Sequence, residues 1–288
     1  MVSLSDALAN GHLRGSESHV ANLAPLAHPA DSRSTLGEIS YTQTRVTTLN
    51  RATLRESRII SGSEPGPVAD AYKILCIQVL QRLRERNGNA LAIVSPGECE
   101  GKTLTAINLA ISLSQEVDQT VLLVDANLRD PSMHRYFGFK PEAGLSDYLI
   151  NNVPIDQVLV NPGIERFVLL PGGRPLLNST EMLGSMKMER LVLELKMRYP
   201  SRIVIFDLPP VLSVADSMAF APYVDAAIMV VQENRTKRID VQRAASMLKS
   251  VELIGTVLNM ASGAQGQDEE SESEPVSGFW GRIFKRKR

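Results

Sequence analysis

Between Val68 and Asn259 the chain alternates two apolar rhythms. Short, nearly continuous apolar runs occur at 90–95, 120–125, 167–170, 202–207, 226–231 and 253–259. Runs of that length predict strands, and those at 90–95 and 120–125 read as strands buried in a parallel sheet. Between them apolar residues return at helical spacing. Ala71, Ile74, Leu75, Val79, Leu80 and Leu83 predict a helix over 68–86, closed by Asn87-Gly88. A second amphipathic helix follows Lys102, and a short one starts at Gly144 with Ser146 as a cap. Further helices are predicted over 179–199, with Ser179 as N-cap, and over 236–250. This βαβα order predicts an α/β fold: a doubly wound, mostly parallel sheet with helices on both faces.

The periodicity stops at both ends. Residues 1–66 are rich in Ser, Ala, Thr, Asn and Gly and read as a mostly disordered or loosely attached arm, with a short strand or helix within 39–60. Pro65-Gly66-Pro67 marks the boundary of the domain, expected over 67–260. Residues 261–278 form an acidic linker, and 279–288 a tail with Phe279, Trp280, Ile283 and Phe284 beside five basic residues. Such a tail suits an anionic membrane surface, the acidic linker itself or a disordered end.

Composition narrows the classes. The 288 residues are 43% hydrophobic with a net charge of −1, enough for one large domain and no argument for nucleic acid. Cys76 and Cys99 lack metal-ligand spacing, which fits a reducing cytoplasm. No run of about 18 apolar residues predicts a membrane span, and the start lacks the pattern of a secretory signal.

The chemistry gathers where the first strand meets its helix. Gly97-Glu98-Cys99-Glu100-Gly101-Lys102-Thr103-Leu104 lies between the 90–95 run and the amphipathic helix. A strand, a tight loop and a helix N-terminus form a phosphate cradle of backbone N–H groups, in which Lys102 reaches the outer phosphates and the Thr103 hydroxyl holds Mg²⁺. The earlier glycine of the usual loop is replaced by Pro96, with Gly97 one place late. Two later strands end in carboxylates, Asp125 and Asp207. The open end of a parallel sheet is where ligands bind. Lys102, Asp125 and Asp207 are therefore the candidate catalytic residues, and Thr103, Asp125 and Asp207 the candidate metal ligands. Phosphoryl transfer asks for positioning and charge neutralisation, and Asp125 is the candidate to orient or deprotonate the attacking oxygen.

These motifs resemble the bacterial tyrosine kinases of capsule and exopolysaccharide synthesis, in their stand-alone cytoplasmic, exosortase-associated form. The resemblance spans about residues 68–259. It rests on 71–75, Glu100-Gly101-Lys102-Thr103 with 106–110, 121–125 with Leu128-Arg129-Asp130-Pro131, 144–149, 170–173, 206–211 and 255–259. It implies a P-loop domain related to the Min and Par ATPases, with ATP and Mg²⁺ as cofactors and transfer of phosphate to tyrosine. It also implies a membrane-bound polysaccharide chain-length regulator as partner, a homo-oligomer, and a cytoplasmic location at the periphery of the inner membrane. Asn259 would contact the adenine, and Arg129 would reach a neighbouring subunit's phosphates or pair with Asp130.

The chain departs from the family pattern at four places. Glu98-Cys99 replaces Pro-Gly, and Asn127 replaces a second acidic residue. Asp70, Lys73 and Cys76 stand where an oligomerisation pattern has Glu, Arg and Arg. The C-terminal tyrosine cluster is absent, Tyr223 being the last tyrosine, so a phosphorylated tyrosine would be Tyr72, Tyr136, Tyr148 or one on another protein. Gly97 occupies the position of the partitioning ATPases' signature lysine, which points to the kinase branch. The alternative is a nucleotide-switch ATPase without kinase activity that controls membrane or partner binding.

Overall fold

Every residue of the strand Ala90–Val94 is buried, and its side chains feed two separate cores. Ala90, Ala92 and Val94 point to one face of the sheet, with Leu122, Val124, Val204 and Phe206. Leu91 and Ile93 point to the other, with Val121, Leu123 and Ile205. This two-sided burial is the physical reason the strands read as unbroken apolar runs. The computed structural model describes residues 45–46, 51–60, 66–199 and 201–261. Its strands are β1 (Arg45–Val46), β2 (Ala90–Val94), β3 (Thr120–Asp125), β4 (Val160–Asn161), β5 (Phe167–Leu170), β6 (Arg202–Asp207), β7 (Ala226–Gln232) and β8 (Leu253–Asn259).

Among the described residues these strands form one sheet in the order β1-β4-β5-β3-β6-β2-β7-β8. All pairs are parallel except β4 with β5. The chain leaves β2 toward β3 on one side, whereas β6 connects to β7 on the other. The carboxyl ends of β2 and β6 therefore sit at the switch in winding direction, where a crevice opens in such sheets. Three helices cover one face: α1 (Arg51–Glu56), α2 (Pro67–Arg84) and α3 (Lys102–Ser114). Leu54, Leu75, Val79, Leu83 and Ile107 supply their packing. The helices Met186–Met197 and Arg238–Met247 cover the other face through Met188, Leu191, Leu195 and Ala244. No helix among the described residues is long and apolar enough to cross a membrane.

The expected elements form, with five corrections. The short strand and helix expected within 39–60 are Arg45–Val46 and Arg51–Glu56, but the stretch 51–60 is docked on the domain rather than part of a disordered or loosely attached arm. Leu54 and Ile59 are buried, Ile60 N–H donates to Asn108 Oδ1 at 3.0 Å, and Asn108 Nδ2 donates to the Arg58 carbonyl at 3.2 Å. Two apolar anchors and one bifunctional amide are too sparse to show as a period.

The single helix expected over 179–199 is two, Ser179–Leu183 and Met186–Met197. At the break, Gly184 packs against Ala219, and Ser185 is extended and caps the second helix by accepting from Met188 N–H at 3.2 Å. Ser179 is the first helical residue after an Asn178 N-cap and is not itself the cap.

Ser146 is not the cap of the helix Leu145–Asn151. Asp147 Oδ2 accepts from Gly144 N–H at 3.0 Å, and Ser146 Oγ accepts from Arg174 N–H at 2.8 Å. The last helix starts at Arg238 rather than Thr236, because the Thr236 hydroxyl closes the preceding turn by accepting from Gln232 N–H at 2.9 Å. The expected acidic linker from residue 262, the basic aromatic tail and the arm before residue 45 lie outside the described residues.

Candidate active site

The loop from Ser95 to Gly101 joins β2 to α3 and is braced from several sides. Gly101 has φ +87°, the left-handed region that favours glycine, and a Cβ there would collide with Asn259 Nδ2. Ser95 Oγ donates to the Gly97 carbonyl at 2.6 Å. The buried Glu100 carboxylate accepts from Gly97 N–H at 2.8 Å through Oε2 and from the Thr236 hydroxyl through Oε1. Asn259 Nδ2 donates to the Glu100 carbonyl at 3.0 Å. Glu100 and Asn259 thus tie the loop to the ends of β7 and β8. Cys99 has φ +59° without being glycine, a backbone strain that the surrounding bonds hold in place. The loop delivers Lys102 as the first residue of α3, at the positive end of the helix.

Behind the loop two carboxylates stand in register. Asp125 on β3 pairs with Asp207 on the neighbouring β6, and both are fully buried. Thr103 Oγ1 donates to Asp207 Oδ2 at 2.6 Å, whereas Asp207 Oδ1 has no hydrogen-bond partner. Burial raises the Asp207 pKa, opposed by the charge of Lys102 and the Thr103 bond. Asp125 Oδ2 accepts from Ser132 N–H at 2.9 Å and Met133 N–H at 3.0 Å, and Oδ1 from Asn127 N–H at 3.3 Å. Burial first, and then the charge of Asp207, push the Asp125 pKa up to about 7 against those three bonds.

The orphaned oxygen of Asp207 tests the expected metal. A threonine hydroxyl and a buried carboxylate with a free lone pair are hard oxygen donors, the kind Mg²⁺ takes alongside phosphate and water. The residues present therefore fit Mg²⁺.

A cavity of about 670 Å³ opens at Lys102 and Thr103, and the fully buried Asp125 and Asp207 lie behind its wall without lining it. Of the residues expected to hold the cofactor, Glu98, Cys99, Gly101, Lys102, Thr103 and Leu104 line it. Gly97, Glu100 and Asn259 do not line it; their bonds shape the loop from behind. Asn127 lines the cavity and donates through Nδ2 to the Asp130 carbonyl at 3.2 Å. Arg129 and Arg135 line it as well. Arg129 pairs with the buried Asp216 at 3.4 Å rather than with Asp130, which pairs with Arg135 at 3.3 Å. Thr180 donates its hydroxyl to the same Asp216. Asp216, Thr236 and Arg135 escape sequence reasoning as contributors to the site. Each is a common surface residue type, and only the fold brings it here.

The sequence matches the AAA-domain family over residues 91–261. It is 28% identical to tyrosine-protein kinase YwqD of Bacillus subtilis over 73% of this chain and 89% of that one. It is 30% identical to tyrosine-protein kinase CpsD of Streptococcus agalactiae serotype Ia over 62% of this chain and 76% of that one. Among solved structures, the VpsO kinase domain shares the fold with a TM-score of 0.61 and 28% identity, covering 67% of this chain and 94% of that one. A likeness of fold alone extends to cobyrinic acid a,c-diamide synthase of Mycobacterium smegmatis, solved with ADP and magnesium. There the TM-score is 0.51 and the identity 20%, covering 59% of this chain and 74% of that one. With a phosphate loop, two strand-end carboxylates and these relatives, the chain belongs to the AAA-domain family and, within it, to the bacterial tyrosine kinases of capsule and exopolysaccharide synthesis.

Proposed function

We propose that the chain is an ATP-dependent protein tyrosine kinase that regulates exopolysaccharide or capsule biosynthesis or export, moving the γ-phosphoryl group of Mg·ATP to a tyrosine. The observation that carries this reading is the Thr103–Asp207 bond at the foot of the phosphate loop, with one Asp207 oxygen left without a partner. Thr103 and Asp207 would hold Mg²⁺, with Asp125 behind them. The bound ion supplies charge neutralisation on the transferred phosphates. Lys102, held at the helix N-terminus, neutralises the outer phosphates. The backbone N–H groups of the braced loop orient the triphosphate at little cost in reorganisation. Asp125 orients the attacking hydroxyl and takes its proton, for which a pKa near neutrality suits it.

The same reading includes a membrane-bound chain-length regulator as partner, self-association, and a cytoplasmic position at the inner membrane. The segment 279–288 would touch anionic lipid. A second reading, a nucleotide-switch ATPase without kinase activity, is favoured by Asn127. Its amide stands where the family carries a second acid and cannot act as a base.

The test is a phosphotyrosine assay on purified protein with Mg·ATP, beside Lys102→Ala, with and without the regulator's cytoplasmic segment. Lys102-dependent phosphotyrosine is expected. ATP hydrolysis without any phosphotyrosine would transfer the case to the switch.

A further inference from the structure

The segment 52–60 reaches both walls of the nucleotide cavity from behind, without lining it. One wall is the start of α3, with Lys102, Thr103 and Leu104. The other follows β3. There Asn127, Arg129 and Arg135 line the cavity, and the short helix Met133–Tyr136 starts from the N–H groups held by Asp125.

Local chemistry shapes the segment for docking. α1 ends at Arg58, whose φ of +57° lies in the left-handed region. Ile59 N–H donates to the Leu54 carbonyl at 2.8 Å, and Arg58 N–H to the Arg55 carbonyl at 3.0 Å. This helix cap brings its two flanking apolar side chains, Leu54 and Ile59, to the same side. Both enter the core that holds Met133 and Phe137. Beside them Thr53 abuts the far end of the Met133–Tyr136 helix. Gly138 follows that helix with φ +69°, and a Cβ on it would stand 2.9 Å from Thr53 Cγ2. The second attachment is to α3. Its buried Asn108 accepts from Ile60 N–H and donates to the Arg58 carbonyl. Asn108 and Lys102 belong to one helix of 13 residues, so a shift at one is felt at the other.

We propose that the segment 52–60 is a positioning strap for the nucleotide site. Docked, it holds α3 and the Met133–Tyr136 helix at the spacing that grips Mg·ADP and Mg·ATP. Undocked, it leaves the two walls free to part, and the nucleotide is held more weakly. The proposal rests on nucleotide binding in the reading above and adds Thr53, Leu54, Ile59 and Asn108 as positioning residues. Two buried side chains and one amide are few anchors, so the strap opens locally at far less cost than global unfolding. Linkage then requires reciprocity: bound nucleotide must strengthen docking by the factor by which docking strengthens binding, although the two never touch.

Both directions of this linkage are measurable in the full-length protein. Hydrogen exchange at the Ile59 and Ile60 amides is followed in wild type with and without saturating Mg·ADP. Mg·ADP affinity is titrated for wild type, Leu54→Asp/Ile59→Asp, Leu54→Met and Met188→Ala. Mg·ADP is expected to slow exchange at both amides by about tenfold, within the usual range of coupling between sites. The Asp pair is expected to bind Mg·ADP about tenfold more weakly, and Leu54→Met, of similar volume, to bind as wild type. Met188 is buried in the core on the opposite face of the sheet and controls for lost stability. Met188→Ala is expected to melt earlier and keep its affinity. Exchange indifferent to saturating Mg·ADP would overturn the proposal and leave the kinase reading standing. Wild-type affinity in the Asp pair, or an equal loss of affinity in Met188→Ala, would do the same. The exchange measurement needs no variant, so it decides the matter should the Asp pair fail to fold. Wild-type protein that binds no Mg·ADP would overturn both.

Discussion

Asp125 and Asp207 face each other across adjacent strands, both out of contact with water, and the site cannot carry both negative charges cheaply. Burial and the neighbouring Asp207 hold the Asp125 proton up to about pH 7, far above its ordinary value of 3.8. The folded protein therefore binds more protons than the unfolded chain between about pH 4 and 7. In that window the contribution of Asp125 to stability falls as pH rises, and above it the penalty is complete.

This predicts that nucleotide-free Asp125→Asn protein gains stability over wild type as pH rises from about 4 to 7, by an amount on the order of a few kcal/mol at most. Melting curves of both proteins across that range would check it. Parallel curves would show that Asp125 does not hold its proton.

Thr103 and Asp207 share the only hydrogen bond that the structure gives the Asp207 side chain among the described residues, at 2.6 Å. Replacing the hydroxyl while keeping the shape, as in Thr103→Val, removes one of the proposed metal donors and leaves Asp207 bare. The gain in ADP affinity on adding Mg²⁺ is expected to shrink by about 10- to 100-fold, the scale of one charge-assisted bond. Calorimetric titrations with Mg²⁺ and with chelator give the ratio. An undiminished Mg²⁺ effect would place the ion elsewhere.

Gly101 combines a left-handed backbone with contact against Asn259. Gly101→Ala is expected to lower stability by about 1–2 kcal/mol from the backbone alone, and further from the collision. Asn259→Ala relieves the collision but not the backbone. The double variant should therefore still melt below Asn259→Ala. Equal melting temperatures would mean that the loop accepts alanine without strain.

Most of the sheet was legible in the sequence because a strand buried on both faces leaves a local mark. Five of the eight strands are such runs; β8, at the sheet edge, reads as an apolar run although most of it is half-exposed, and β1 and β4, of two residues each, are too short to carry one. The phosphate loop was legible for the same reason, since strand, turn and helix start are neighbours in the chain. The break in the helix over 179–199 left no mark because the apolar period continues across Gly184; it comes where Ser185 turns extended and caps the second helix. The docking of Leu54 and Ile59 has no local period at all.

Sequence alone determined the fold class and the placing of Lys102, Thr103, Asp125 and Asp207 at strand ends and a helix start, because each follows its own apolar run within a few residues. Tertiary structure alone decided what these groups meet. The Thr236 hydroxyl reaches Glu100 from 136 positions away, and Asp216 reaches Arg129 from 87. Such pairings depend on which strands the crossovers bring side by side, a property of the whole sheet that no short window of residues contains. Tyr136 follows the same logic: a helix anchored by the Asp125 carboxylate brings its phenol to the cavity beside Lys102.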